Sequence, residues 1–281
     1  MRMTEYPEAS VVASSDVLII DGQDGNRKLP ASKALEPLLK HGTSTNGHRV
    51  IPECNFLGNT VTEAQARAIY DGTFEGLHVG DYWTMSGQNW RIWDFDYWFG
   101  STVASGGNIH HVVILPDEKL YDYVMNDTDT TSGGYVGSKM YTTGLNSAKA
   151  TINSIFGDLV YTHKEYFSNS VSSSGFVNGS AILDSTIEIP SETQLYGCRL
   201  NSSSMPSPST VPIDYDNGRH QLLLGQLMPE YVTLSYSVWI RDVVSATRFA
   251  SVVGTGNSFH SGASSSRGVR PVFGIKGRAG S

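Results

Sequence analysis

The chain has 281 residues, of which 39% are hydrophobic, enough for a real core in one large domain or two modest ones. Its 20 Lys plus Arg against 27 Asp plus Glu give a formal charge of −7, with no long basic run, which argues against a nucleic-acid partner. No stretch reaches the roughly 20 apolar residues of a membrane helix, the first residues lack a secretory pattern, and Cys54 and Cys198 form neither a zinc spacing nor a disulfide framework. The expectation is a chain assembled in a cytoplasm, without cofactor, metal or membrane insertion.

Taken in chain order, Val17, Leu18, Ile19 and Ile20 and the run Arg27, Lys28, Leu29 flank a turn-rich loop, so a β-hairpin is predicted there. Pro30 then opens a helix over residues 31–40, with Leu35, Leu38 and Leu39 on its apolar face and Pro37 weakening it. That face is too small to fold alone and is expected to dock on a neighbour. The polar stretch HGTSTNGH at residues 41–48 marks the predicted boundary between a segment 1–45 and a domain 46–281.

Beyond the boundary, Thr62 and Gln65 suit a capping box opening a helix through Tyr70, and residues 74–99 read as strands. A second helix is predicted near residues 119–124. A third spans 138–156, where Tyr141, Leu145, Ala148, Ile152 and Ile155 recur at helical spacing and Gly157 supplies the stop. The Ser-rich tracts 168–174 and 201–209 read as loops, and Asn217-Gly218 as the turn of a hairpin joining 213–215 to 221–224. The C-terminal part gives strands headed by Trp239 and Ile240, then 249–253, then 269–275. The predicted class is α+β: a hairpin-helix segment followed by a mainly antiparallel β module with about three helices.

Local enzyme signatures are missing: no G-x-S-x-G, H-E-x-x-H, P-loop or G-x-G-x-x-G occurs. His110-His111 are neighbours that would face opposite sides of a strand, and ordinary strand or turn positions are expected for them. Carboxylates spaced i, i+2 occur at Asp94/Asp96, Asp127/Asp129 and Asp214/Asp216. The first pair reads as the solvent face of an aromatic strand whose Trp93, Phe95, Tyr97 and Phe99 face the core, with Trp83 and Trp239 also core. The run 126–130 is the candidate for calcium or for acid/base work, weighed against its turn-forming composition, and turns are the expectation. Arg241, Asp242 and Arg270 are candidates for an internal polar network.

Three stretches taken together carry a resemblance: GTFEGLHVGDYWTMSGQNWRIWDFDYW, MNDTDTTSGGYVGSKMYTTGLNSAKATINSIFG and SVWIRDVVSATRFASVVGTGNSFHSGASSSRGVRP. The set resembles phage and prophage proteins of gut Firmicutes and Actinobacteria that carry a module similar in outline to C-type-lectin-like domains. It covers residues 69–275 and ends on Trp239 to Asp242 and Gly268 to Pro271. The disulfides of secreted C-type lectins have no counterpart among two thiols.

The resemblance implies a virion protein on the particle surface, a head fibre, capsid decoration or tail adhesin. Its residues 1–45 would attach to a capsid or tail protein, and the remainder would be displayed as a homo-oligomer, a trimer, meeting a host-surface glycan or protein. By analogy with lectin-like folds, recognition would fall in the loop 254–267, through Asn257, Ser258, Phe259, His260, Ser264 and Arg267. No catalytic residue is implied. The competing readings are a cell-surface carbohydrate-binding module, and a hydrolase built on Asp127 and Asp129.

Overall fold

The structure, a computed structural model, describes residues 53–99, 108–203 and 221–279, together with strands at 17–20, 27–30, 43–44 and 50–51. The chain divides into two compact units, residues 1–50 and 51–281. In the first, β1 (Val17–Ile20) pairs antiparallel with β2 (Arg27–Pro30), the hairpin that the sequence predicts, and β3 (Thr43–Ser44) pairs with β4 (Val50–Ile51). The predicted helix 31–40, with Leu35, Leu38 and Leu39, lies outside the described residues, as do positions 213–215 with Asp214 and Asp216.

The second unit is mixed α+β, with four described α-helices, parallel as well as antiparallel pairings, two large sheets and one two-stranded sheet. The six-stranded sheet runs in the order β12 (Ile187–Glu188), β17 (Val272–Lys276), β8 (His111–Pro116), β7 (Gln88–Phe95), β6 (Tyr82–Met85), β5 (Phe56–Gly58). The five-stranded sheet runs β15 (Ser258–Gly262), β14 (Arg248–Val252), β13 (Val238–Ser245), β16 (Ser266–Val269), β9 (Tyr121–Val124). A separate long hairpin, β10 (His163–Val171) with β11 (Val177–Ser185), completes the strands.

One antiparallel ribbon joins the two sheets. β8 pairs with β17 in the six-stranded sheet, and their continuations β9 and β16 pair in the five-stranded sheet. The ribbon therefore bends where residues 117–120 face Arg270 and Pro271. This divides the single strand predicted over 269–275 into two strands of different sheets, because Pro271 has no N–H for a continuous ladder. The predicted helix 119–124 is likewise corrected: Tyr121 to Val124 form β9, and pairing with β16 overrides the local pattern.

Helix α1 (Glu63–Tyr70) starts at Thr62, whose hydroxyl accepts from the Gln65 N–H while the Gln65 side chain accepts from the Thr62 N–H, the predicted capping box. The predicted third helix divides into a π-helical turn (Met140–Gly144) and α2 (Asn146–Phe156), which stops at Gly157. α3 (Glu192–Tyr196) and α4 (Leu223–Leu227) follow. α4 corrects the strand predicted at 221–224, because Asp94 Oδ2 accepts from the Leu223 N–H at the start of the helix.

Asp94 is itself a correction: it is 4% exposed rather than solvent-facing, since β7 is a central strand covered on both faces and bulges between Ile92 and Asp94. Trp93 and Tyr97 are buried as expected, whereas Phe95 is partly buried and Phe99 is exposed. Trp83, Trp90 and Phe273 fill one apolar cluster, Trp93 and Trp98 a second, and Trp239 with Phe249 a third. The Ser-rich tract 168–174 is a loop only from Ser172 onward. Its first residues finish β10, where buried Ser168 accepts from the Tyr135 N–H.

Gly134 and Gly157 separate two reasons for glycine. Both have positive φ, +64° and +54°, but a Cβ on Gly134 would lie 2.6 Å from the Ser168 backbone while one on Gly157 meets nothing within 4 Å. Gly134→Ala is expected to cost about 3 kcal/mol or more, and Gly157→Ala, which meets only the backbone strain of its φ +54°, ψ −126° conformation, a smaller loss of about 1–2 kcal/mol. Urea unfolding of both variants checks this, and equal losses would contradict the packing argument.

Candidate functional site

The predicted recognition loop 254–267 contains an edge strand. β15 folds back on β14 around a turn at 253–257, where Val253 N–H donates to Asn257 O at 3.0 Å and Gly256 N–H to Val253 O at 2.8 Å. The register sets Ala250 opposite His260 and Arg248 opposite Gly262. Arg248 and His260 therefore lie on one face as diagonal neighbours. Arg248 Nη1 stands 2.9 Å from His260 Nδ1. A guanidinium only donates, so Nδ1 accepts and the imidazole keeps its proton on Nε2. The Phe259 ring stacks on that imidazole with centroids 4.8 Å apart and planes 15° apart, and Phe259 remains 50% exposed.

Of the six predicted residues, Phe259 and His260 are brought together with Arg248, which the sequence reading missed. A hairpin centred on the Gly254–Asn257 turn pairs 248 with 262 and 250 with 260, and strand alternation then sets Arg248 beside His260; that turn chemistry was the available signal. Asn257 is exposed, its amide donating to Thr255 Oγ1 at 3.3 Å. Ser258 turns inward. Ser264 in the turn after β15 and Arg267 in β16 are occupied within the fold: Ser264 N–H and Oγ donate to Asp129 at 2.9 and 2.7 Å, and Arg267 Nε donates to Ser261 Oγ at 3.3 Å.

Ser258 leads to a buried carboxylate. Its hydroxyl donates to Glu192 Oε1 at 2.5 Å and accepts from Asn201 Nδ2 at 2.9 Å. Glu192 also accepts from the N–H groups of Leu200, Asn201 and Ser202 and from Ser202 Oγ at 2.5 Å. Burial alone would raise the Glu192 carboxyl, but the Ser202 and Ser258 hydroxyls and the backbone donors outweigh it and hold it below 4.5. One carboxylate thus fixes the segment 200–202 against β15.

Beneath this edge lie further buried charges. Arg241 Nη2 sits 3.3 Å from Glu165 Oε1, and Asp242 Oδ2 accepts from the Glu192 N–H at 2.7 Å. Burial lowers the Arg241 pKa on its own, yet Glu165 and Asp242 more than reverse this and leave it raised. Asp242 is raised by burial against the pull of Arg241, and Glu188 by burial against the Tyr135 hydroxyl that donates to it at 2.6 Å. These two carboxylates cost stability at neutral pH, and the cost falls as pH drops through their raised values.

The remaining carboxylate pairs are dispersed. Asp127 faces Lys139 Nζ at 2.5 Å while Asp129 serves Ser264, so the two do not converge on a reacting atom or ion. The Ser264 N–H, then its hydroxyl, hold Asp129 below its ordinary value. Asp96 accepts from His110 Nδ1 at 2.7 Å and from the His111 N–H at 2.9 Å. His111 is buried against Tyr161 and Trp98. Among the described residues, no three His, Cys, Asp or Glu side chains gather as a metal site requires. Also among them, no helix is long and apolar enough to cross a membrane. The chain matches no family model, no curated protein and no solved structure.

The depressed Glu192 value gives a signed pH dependence. Its contribution is present above the ordinary carboxyl value of 4.5 and is lost as pH falls through the lower folded value. Glu192→Gln presents an NH2 group to donors and is expected to cost about 2–4 kcal/mol at neutral pH. Because the variant has no carboxyl to titrate, the gap to the parent narrows in acid. Denaturant midpoints from pH 7 to pH 3 check this, and a gap that stays constant would contradict it.

Proposed function

We propose that this chain is a bacteriophage virion-surface protein, attached to the particle through its N-terminal segment and displaying a C-type-lectin-like module as a head fibre, capsid decoration or tail adhesin. The observation that carries the reading is the division into a small unit, residues 1–50, and a large unit, residues 51–281, at the place where the sequence changes from a short hairpin segment to an aromatic-rich domain. Attachment and display are then separate tasks on separate parts of the chain. The resemblance of the three long motifs to phage proteins supports the same reading. Assembly as a trimer through residues 1–45 completes it.

A second reading, a carbohydrate-binding adhesion module, is favoured by the Arg248, Phe259 and His260 cluster on the edge of the five-stranded sheet. A stacked aromatic beside polar donors is a common arrangement at recognition surfaces.

Gradient-purified particles of the encoding phage should contain the chain at a fixed ratio to the major capsid protein. Deletion of residues 1–45 should leave the remainder in the soluble fraction. Light scattering on the full chain should give three times its 30.5 kDa mass. A chain absent from particles, or a stable monomer at micromolar concentration, would overturn attachment or trimeric assembly respectively.

A further inference from the structure

We propose that the β14–β15 edge is a binding site for a carboxylate-bearing saccharide, with the sugar ring on Phe259 and its carboxylate at Arg248. The inference rests on the reading of this chain as a displayed adhesion protein and names the ligand class of that surface.

Phe259 uses one ring face to stack on His260, and its 50% exposure leaves apolar ring surface in solvent. Phe259 and His260 are neighbours on the edge strand β15, and their parallel stack sets the Phe259 ring alongside the same imidazole that accepts from Arg248. The stacked rings form a partly exposed platform, and the C–H face of a pyranose is a suitable cover for it. Stacking alone would not select an acidic sugar.

The selection comes from Arg248. It is an exposed guanidinium whose Nη1 is held by His260 Nδ1, which fixes its direction beside the platform. The fork of a guanidinium matches a carboxylate with two parallel N–H donors. No carboxylate among the described residues forms an ion pair with Arg248 within 4.0 Å. Asp129 feels the Arg248 charge, but both donors of Ser264 engage it. The Nε2–H of His260 and the exposed amide of Asn257 add neutral donors near the same edge. A neutral sugar would fill the platform and leave the guanidinium without an anionic partner.

The test uses the full chain with two probes, trigalacturonate and sialyllactose, each as the free acid and as its methyl ester. Calorimetry and ligand-observed NMR would read binding. At least one free acid should bind saturably at millimolar concentration, its methyl ester at least tenfold more weakly, and added salt should weaken the acid alone. Arg248→Gln and Phe259→Ala, both at exposed positions and checked by circular dichroism, should each weaken that binding at least tenfold.

Binding of neither acid, equal binding of acid and ester, or binding unchanged in either variant would overturn the site. Particle incorporation separates this from the broader reading. A chain that enters particles but binds neither acid removes the site alone, and one that binds but never enters particles removes the virion reading alone.

Discussion

Arg270 stands where the antiparallel ribbon bends from one sheet into the other, and the arrangement of both sheets depends on how its charge is held there. Nε donates to Pro116 O at 2.7 Å and Nη1 to Tyr231 O at 2.9 Å, while the guanidinium lies 4.9 Å from the centre of the Trp93 ring. The side chain is buried, and burial lowers its pKa to about 10. Desolvating such an ion costs several kcal/mol. Charge-assisted bonds to two carbonyls and a cation–π contact offset part of that cost. What the position gains is geometry, because the fork reaches the end of β8 and the segment before β13 at once.

A second arginine secures the other side of the bend. Arg91 grips Asp117 with two bonds of 2.7 and 2.5 Å, donates to Gly80 O at 2.6 Å, and lies over the rings of Tyr82 and Tyr231. Tyr231 therefore receives Arg91 on its ring and Arg270 on its carbonyl. Farther along, Glu165 of the long hairpin accepts from Trp98 Nε1 at 3.1 Å and pairs with Arg241, so one carboxylate links the hairpin to β13 and to the turn that follows β7. The interior is thus organised by buried charges inside aromatic clusters, and the exposed strand edges lie outside them. The β14–β15 edge is one such surface, held from beneath by Glu192.

What could be read from the sequence was whatever is decided locally. The capping box at Thr62, the glycine stop at Gly157, the first hairpin and the burial of Trp83, Trp93 and Trp239 all follow from neighbouring residues or from size and apolarity. The burial of Arg241, Asp242 and Arg270 was legible too, though they fall into two networks rather than one. Tyr121 to Val124 could not be recognised as a strand, because their pairing partner lies far along the chain. Asp94 looked solvent-facing because strand alternation carries no information about α4, which covers that side and uses its carboxylate.

At the β14–β15 edge, Phe259 and His260 were accessible from composition, whereas Arg248 required the hairpin register. Ser258, Ser264 and Arg267 looked like contact residues because they are polar and lie among turn formers. The buried carboxylate of Glu192, the Asp129 side chain and the Ser261 hydroxyl claim them instead. Polar residues in a Ser-rich stretch can serve the fold as readily as a ligand, and only their partners distinguish the two.

The most direct test of the account is the unfolding free energy of Arg270→Lys, measured by urea denaturation of the transition that belongs to residues 51–281. Lysine keeps the charge but cannot span two carbonyls as a fork. The expected result is a loss of about 2–4 kcal/mol, whereas a stability within about 0.5 kcal/mol of the parent would show that the ribbon bends and the sheets hold without the buried guanidinium.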